Sequence, residues 1–198
     1  MQIMLNTSDF VQMIKVCKPF VARYDPWRNF ELQHIYCEVH ENMLIAKACN
    51  GTSMIELQVP VVRCYNEVED FNFYIPTFVT NFIDIKLESR TLIIIEDDRI
   101  WIEPMKFGFY RVCRDYPKSV DIDSYIAQHT GSTEEIIPNH VGIDPKLLNR
   151  VMSAFKSERV VKLTTCGIES GILIQSEHMR AFICAKRISH LTKLYKEA

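Results

Sequence analysis

Two short stretches of the chain carry side chains of the kinds that bind metal ions or transfer protons. The first holds His34, Cys37, Glu38 and His40. Its neighbours predict a β-strand, in which side chains alternate between the two faces, so Cys37 lies on the opposite face from the other three. A tetrahedral zinc site needs four ligands that converge on one point. We therefore interpret these residues as half-exposed strand positions.

The second stretch is the acidic run Glu96, Asp97 and Asp98, whose carboxylates could suit magnesium. It lies between two apolar β-rich runs, which predicts a hairpin turn instead. The chain has only six glycines and contains no glycine-rich phosphate loop, no Gly-x-Ser-x-Gly and no Cys-x-x-Cys. We expect no enzyme activity, no metal site and no cofactor.

Composition predicts an ordinary soluble globular protein, since 47% of the 198 residues are hydrophobic and no apolar run is long enough to cross a bilayer. The first residues do not resemble a secretory signal, so a cytoplasmic location is expected. Seven scattered cysteines favour free thiols over disulfides. The net charge of −2 argues against a surface coated in positive charge, although it leaves room for a local basic patch.

The elements that must position any functional residue recur three times along the chain. Each unit has a β-rich run, a helical stretch with an apolar face, and then further β-rich runs. The first unit has runs at 2–5, 34–39, 43–48 and 54–61, with a helix from about residue 7. The second has runs at 71–75, 92–96, 100–103 and 107–113, with a helix at 76–86. The third has runs at 136–143, 160–165, 172–175 and 179–188, with a helix at 145–156.

This repeat predicts an α+β scaffold of stacked β-α-β-β-β units. Residues 1–117 form one domain from two units, 1–62 and 71–117. The polar segment 118–135 is predicted to be a linker or a flexible loop. Residues 136–198 hold the third unit and a tail.

The third helix has a basic outward face. Asp144 is a good N-cap and Pro145 suits the first helical position. The apolar stripe of this helix consists of Leu147, Leu148, Val151, Met152 and Phe155. The opposite face carries Lys146 and Arg150, with Lys156 beside it and no carboxylate.

The first helix repeats this arrangement less regularly. Its inward residues are Phe10, Met13, Ile14 and Cys17. Lys15 lies outward, and Lys18 and Arg23 follow just after the helix. An ordinary solvated helix surface is the alternative interpretation of these bases.

Three stretches resemble motifs of one known family. Residues 141–156, together with 160–163 and the closing run 182–188, look like the last half-domain of the bacterial sliding clamp, the DNA polymerase III beta subunit. Residues 42–54 resemble the Ala-Thr-Asp-Gly-x-Arg-Leu strand and turn of that family, and Tyr116-Pro117 stands where its Tyr/Phe-Pro motif is expected. The motifs occur in the family's order over most of the chain.

The resemblance implies a clamp-like α+β fold of half-units, in which helices line one side and antiparallel sheets form the other. Duplex DNA would pass along the helix side, bound through its backbone without sequence specificity. The DNA-binding candidates are Lys15, Lys18, Arg23, Lys146, Arg150 and Lys156.

The resemblance also implies a hydrophobic pocket that accepts short peptides from DNA polymerases and repair proteins. Its residues carry over onto Cys49, Gly51, Thr52, Ser53, Met54, Pro117, Cys184, Lys186, Arg187 and Ile188. The alternative is that these positions are ordinary strand ends and a turn. Asn50 stands in place of an acid, Ser53 in place of an arginine, and residues 184–186 in place of Met-Pro-Met, so partner preference is expected to differ.

The family has three domains of two half-units each, whereas this chain has three half-units. A lone half-unit leaves a helix face and a sheet edge without a partner, so we expect a homo-oligomer. The leading hypothesis is a clamp-like processivity factor that encircles or contacts DNA and tethers replication and repair proteins. The alternative is a non-ring module that binds clamp-motif peptides or a full-length clamp, and a metal-dependent enzyme is the third hypothesis.

Overall fold

The computed structural model of the protein describes residues 1–23, 30–40, 42–65, 71–82, 89–103, 107–112, 116–117, 121–130, 142–166 and 171–185.

The first unit follows the predicted order closely. The first unit consists of β1 (Gln2–Asn6), α1 (Thr7–Cys17), β2 (Ile35–His40), β3 (Met43–Cys49) and β4 (Ser53–Pro60). The first unit is followed by a short strand, β5 (Arg63–Tyr65), which the sequence did not predict.

The second unit departs from prediction in its helix. Its strands are β6 (Phe71–Ile75), β7 (Arg90–Ile95), β8 (Arg99–Glu103) and β9 (Phe107–Tyr110). The helix predicted over 76–86 is a 3₁₀ helix, Thr77–Phe82, in the described part of that segment, while 83–88 lies outside the described residues. The β-branched Thr77 and Val79 pack poorly into an α-helical turn, which favours a short element here.

The third unit has α3 (Pro145–Ala154), β10 (Lys162–Thr165), β11 (Gly171–Gln175) and β12 (Met179–Cys184). Most of the strand predicted over 136–143 lies outside the described residues, and 142–144 do not form a strand. The segment predicted as a linker contains a helix instead, α2 (Ile122–Thr130). None of the helices in the described residues has the length and apolar character needed to cross a membrane.

The strands form two antiparallel sheets, and the first two units exchange their first strands. The five-stranded sheet has the order β5-β1-β7-β8-β9, so β1 of the first unit pairs with β7 of the second. In the seven-stranded sheet, β10-β11-β12-β4-β3-β2-β6, strand β6 of the second unit pairs with β2 of the first. Neither unit therefore completes a sheet by itself.

The third unit joins the first through the pair β12–β4. Ala181 lies opposite Ile55, and Phe182 lies opposite Met54. Because side chains alternate along a strand, Ile55 and Ala181 face one side of the seven-stranded sheet and Met54 and Phe182 face the other.

The helices are distributed over these two sides of the sheet. Both α1 and α3 pack on the side of Ile55 and Ala181, in the main core, with the inner residues of the five-stranded sheet. Helix α2 packs on the side of Met54 and Phe182. We call these the helix side and the outer side of the seven-stranded sheet. The predicted α+β fold of repeated half-units is confirmed.

Candidate functional site

Six bases predicted to contact DNA are exposed in the structure. The residues are Lys15, Lys18, Arg23, Lys146, Arg150 and Lys156. In α1, Phe10, Met13, Ile14 and Cys17 are fully buried, as predicted, which turns Lys15 toward solvent. The described residues place no carboxylate within ion-pair distance of any of the six bases.

Helix α3 is capped at its N-terminus and packs on the sheet through its inner face. The Lys146 N–H donates to the Asp144 side chain at 2.8 Å, which confirms the predicted N-cap. Val151 and Phe155 are buried against the sheet, whereas Met152 is partly exposed. Since α1 and α3 pack on the same side of one sheet, their bases belong to one surface, which we call the basic helix face.

Three of the residues predicted to bind peptides lie on the outer side of the sheet. Cys49, Met54 and Cys184 lie in a second apolar cluster with Leu173 and Phe182. We call this group the outer cluster. Cys49 and Met54 are buried, so the cluster is covered rather than open.

Helix α2 is what covers the outer cluster. Ile122 and Ile126, one helical turn apart, pack into it, and Ile122 is itself buried. The spacing of the two isoleucines and an N-cap residue, Asp121, which accepts a hydrogen bond from the Ser124 N–H, are sequence signals for α2 that the polar residues around them concealed.

The turn before β4 is organised by one side chain. The Asn50 Oδ1 atom accepts hydrogen bonds from the Thr52 N–H at 3.1 Å and the Ser53 N–H at 3.1 Å. Gly51 has a φ of 89°, which glycine adopts without strain. Gly51 and Thr52 are exposed and Ser53 is buried. The Cys184 N–H donates to the Thr52 carbonyl oxygen at 3.1 Å, so the structure brings this turn to the end of β12.

The Tyr116-Pro117 motif lies near the same place. Tyr116 stacks on Tyr36 with ring centroids 4.9 Å apart. Burial raises the pKa of Tyr116, and the nearby Cys49 and Asp121 raise this pKa further. Pro117 is half-buried, and Lys186, Arg187 and Ile188 lie outside the described residues.

Ion pairs that no local sequence pattern predicts attach α2 to the sheet. Arg180 of β12 donates to both carboxylate oxygens of Glu56, at 2.8 and 2.9 Å, and to both of Asp123, each at 2.6 Å. Lys47 lies 3.0 Å from Glu38, 3.2 Å from Asp121 and 3.8 Å from Glu56. We call this group the ionic tether.

The electrostatics of the tether favour the charged forms of Lys47 and Asp121. Burial alone would lower the pKa of Lys47, but the hydrogen bond and charge of Glu38, with Glu56 and Asp121, raise it overall. Burial would raise the pKa of Asp121, but the hydrogen bond from the Ser124 N–H and the charge of Lys47 hold this pKa below the usual value for an aspartate. A carboxyl whose folded pKa is depressed stabilises the fold at pH values above its unfolded pKa, and this contribution is lost as pH falls through the folded pKa.

The lowered pKa of Asp121 predicts that the stability of the fold depends on pH. Below about pH 4 we expect the free energy of unfolding to fall, and Asp121→Asn should reduce the fall because it removes one linked proton. Urea titrations at pH 7 and pH 3 measure the difference. The matched control is Asp97→Asn in the exposed turn between β7 and β8, which should keep the wild-type difference. An unchanged difference in Asp121→Asn would contradict the assignment.

The candidate metal-binding stretch is dispersed by the fold. Cys37 is fully buried on the helix side, Glu38 pairs with Lys47, and the His34 ring stacks on Phe30 with centroids 3.9 Å apart. Burial lowers the pKa of His34, although hydrogen bonding to the Phe30 carbonyl and the charge of Glu31 oppose this. The part of the chain that the structure describes holds no cluster of three metal-ligating side chains.

Cys17, Cys37 and Cys49 are buried free cysteines. Burial raises the pKa of the Cys17 and Cys37 thiols, and raises that of Cys49 to about 11, so these thiols are protonated at neutral pH.

The run from Glu96 to Asp98 forms the predicted hairpin turn between β7 and β8. This turn is closed by the Glu96 N–H, which donates to the Arg99 carbonyl oxygen at 2.9 Å.

No protein-family model matches the sequence, and no curated protein matches it. Solved structures do match the fold. The DNA polymerase III beta subunit of Thermotoga maritima has a TM-score of 0.65 at 9% identity, over 93% of this chain and 64% of its own. The DNA polymerase sliding clamp of Bacillus subtilis has a TM-score of 0.68 at 12% identity, over 94% of this chain and 64% of its own.

A third structure is the Helicobacter pylori beta clamp bound to a DNA ligase peptide, with a TM-score of 0.64 at 14% identity, over 94% of this chain and 67% of its own. The chain therefore spans about two thirds of the length of these clamps. It has the fold of the bacterial DNA polymerase III beta sliding clamp, as the sequence resemblance implied.

Proposed function

We propose that this protein is a cytoplasmic, clamp-like processivity factor without enzyme activity. It holds duplex DNA through the basic helix face and tethers DNA polymerase and other clamp-motif proteins through the outer cluster, as a homo-oligomer that encircles or contacts the duplex. The observation that carries the proposal is the joint position of α1 and α3. In a fold shared with sliding clamps, they present exposed bases on one side of one sheet.

The chemistry of this face suits sliding. Phosphate contacts by lysine and arginine attract any sequence equally, whereas sequence reading needs side chains inserted into a groove. Lys15, Lys146 and Arg150 lie on helices that pack against a sheet, so they can contact the backbone of a duplex laid across the helices without entering a groove. The attraction is screened by salt.

Binding to DNA tests the proposal directly. Fluorescence anisotropy with two duplexes of about 30 bp and unrelated sequence should give equal affinities. The logarithm of the affinity should fall linearly with the logarithm of the salt concentration. Retention on a nicked circular plasmid, followed by release when it is cut, would indicate encirclement. Binding of clamp-motif peptides without any DNA binding at low salt would favour the alternative, a non-ring interaction module.

The outer cluster supports the peptide-binding part of the proposal. It offers apolar side chains between two strand ends and an exposed turn, which suits a short peptide with aliphatic or aromatic residues. Helix α2 occupies this position, so a peptide has to displace Ile122 and Ile126. The competition lowers the apparent affinity for the peptide by the fraction of molecules in which α2 has left.

Weakening α2 is therefore expected to strengthen peptide binding. Ile122→Ser with Ile126→Ser should lower the dissociation constant of a fluorescein-labelled clamp-motif peptide by about tenfold. Anisotropy titration measures it. The matched control is Ala127→Ser on the exposed side of α2, which should behave as wild type. An equal or weaker affinity in the double variant would contradict the assignment of the outer cluster.

A further inference from the structure

One face of the five-stranded sheet carries two aromatic side chains on neighbouring strands. In β8, Ile100 and Ile102 are buried in the main core, so Trp101 lies on the opposite face. Tyr110 of β9 lies opposite Arg99, two residues from Trp101, and therefore shares this face. Trp101 is half-buried, whereas Tyr110 is 76% exposed. Tyrosine and tryptophan placed together on a surface are typical of an interaction site.

Gly108 determines how the Trp101 ring lies. Trp101 is opposite Gly108 in the ladder, and a Cβ atom on Gly108 would overlap the Cε3 and Cζ3 atoms of the ring. The ring therefore lies across β9 at a position where any other residue would displace it. Glu96 fixes the indole by accepting a hydrogen bond from its Nε1 atom at 3.0 Å. One face of the ring rests on the sheet, so the other face is directed outward.

The two rings border one groove. The Arg99 guanidinium lies 5.9 Å from the centroid of the Trp101 ring and 5.7 Å from that of Tyr110. These side chains, with Gly108 and Phe109, line a groove of about 250 Å³, which we call the aromatic groove. Sites for small molecules have volumes of about 300–1,000 Å³ and enclose most of their ligand. The aromatic groove is smaller and open, so it suits a few side chains of a longer chain.

The charges around the aromatic groove are mainly negative. Residues 96–103, which form the hairpin beside it, carry four carboxylates and one base, Arg99. Arg111 lies over a phenylalanine ring of β6, with its Cζ atom 4.0 Å from the centroid. The other bases of this face, Arg63 and Arg90, lie on β5 and at the start of β7, away from the groove. This balance disfavours the phosphates of a nucleic-acid strand and favours a cationic ligand.

We propose that the aromatic groove binds a proline-rich segment of a partner protein that also carries lysine or arginine. A polyproline II helix places residues three apart on one side, at a spacing of about 9 Å. The distances from Arg99 limit the separation of the Trp101 and Tyr110 centroids to little more than one such turn. One proline can therefore stack on each ring. The basic residues of the segment then lie beside the exposed carboxylates of residues 96–98.

A small groove suits a rigid ligand. A proline-rich segment is already extended before it binds, so it loses little conformational entropy on binding. Its basic residues add an attraction that salt screens. The aromatic groove belongs to the five-stranded sheet, whereas the outer cluster belongs to the seven-stranded sheet. This second docking site is therefore separate from the one in the proposed function and does not rest on it.

Fluorescence anisotropy of the full chain with a labelled peptide of repeated Pro-Pro-Arg tests the proposal. A repeat of three places all the arginines along one edge of the helix. We expect saturable binding that weakens as salt rises, and a peptide of repeated Pro-Pro-Glu should bind at least about tenfold more weakly. Tyr110→Ala removes one ring, and Gly108→Ala displaces the other. Each variant should raise the dissociation constant about tenfold.

Three further variants locate the contact. Tyr65→Ala removes a tyrosine from the far edge of the same sheet and should leave the affinity unchanged. Glu96→Gln with Asp98→Asn keeps an acceptor for the Trp101 indole and should flatten the salt dependence.

The third is Ile122→Ser with Ile126→Ser, which opens only the outer cluster and should bind the Pro-Pro-Arg peptide as the wild type does.

The outcomes are distinct, since Tyr110 is exposed enough for its alanine variant to keep the fold, which circular dichroism melts verify. No binding of the Pro-Pro-Arg peptide, or equal binding of the Pro-Pro-Glu peptide, overturns the proposal. Binding that Tyr110→Ala leaves intact but the outer-cluster variant changes also overturns it, because the peptide is then bound at the outer cluster. Tighter binding of a labelled oligothymidine than of the Pro-Pro-Arg peptide, lost in Tyr110→Ala, would assign the groove to nucleic acid instead.

Discussion

Reversing two charges on α3, Lys146→Glu with Arg150→Glu, is expected to weaken binding to duplex DNA by about 100-fold at low salt. Each base that neutralises a phosphate releases counterions, and each lost contact reduces the slope of log affinity against log salt by about 0.9. The double variant should therefore reduce the slope by about 1.8. Both side chains are exposed on a helix whose inner face is anchored by Val151. The substitution should leave the fold intact.

The matched control reverses two arginines of the five-stranded sheet. Arg90 and Arg99 are exposed on strands β7 and β8, outside the basic helix face. Arg90→Glu with Arg99→Glu changes the net charge of the protein by the same amount. If both double variants lost affinity equally, overall charge would account for binding and the basic helix face would have no special role.

The second large effect is expected on stability. Replacing Arg180 with methionine should lower the free energy of unfolding by about 3 kcal/mol, because it leaves the buried Glu56 carboxylate without its bidentate partner. Lys47, 3.8 Å from Glu56, offsets part of the loss. Asp123 loses its partner too, so α2 should also be released. Urea unfolding at pH 7 measures the change.

Two further variants separate a buried pair from a surface pair. Arg180→Met with Glu56→Met removes both charges and should recover most of the lost stability, since two apolar side chains can replace a buried ion pair. Arg99→Met removes an exposed pair with Asp98 at 3.7 Å and should cost less than about 1 kcal/mol. A double variant as unstable as Arg180→Met would show that the loss does not come from an unpaired Glu56.

The local pattern of apolar and polar residues was sufficient to predict the elements whose two faces differ most in polarity. The stripe of Phe10, Met13 and Ile14 predicted both the position of α1 and the exposure of Lys15. Asp144 and Pro145 predicted the start of α3, and β-rich runs predicted β3 and β11. In each case, one face is buried in the main core and the other is not, so the period of the sequence follows the period of the element.

The outer side of the sheet could not be predicted in the same way. Lys47, Glu56 and Arg180 come from three strands, and their ion pairs exist only because β12 lies beside β4 in one particular register. No local signal encodes that register. Helix α2 was predicted as a linker because Asp121, Asp123 and Ser124 have the composition of a loop. In the structure, Asp123 accepts hydrogen bonds from Arg180, and the Asp121 side chain accepts a hydrogen bond from the Ser124 N–H at the start of the helix.

The pairing of β4 with β12 has a consequence for synthesis of the protein. Glu56 and Arg180, which face each other across this pair, are 124 residues apart in the chain. At ribosomal rates of about 5–20 residues per second, β4 waits roughly 6–25 s for its neighbour to be made. Throughout that interval the nascent chain exposes the edge of β4 and the apolar Met54 beside it.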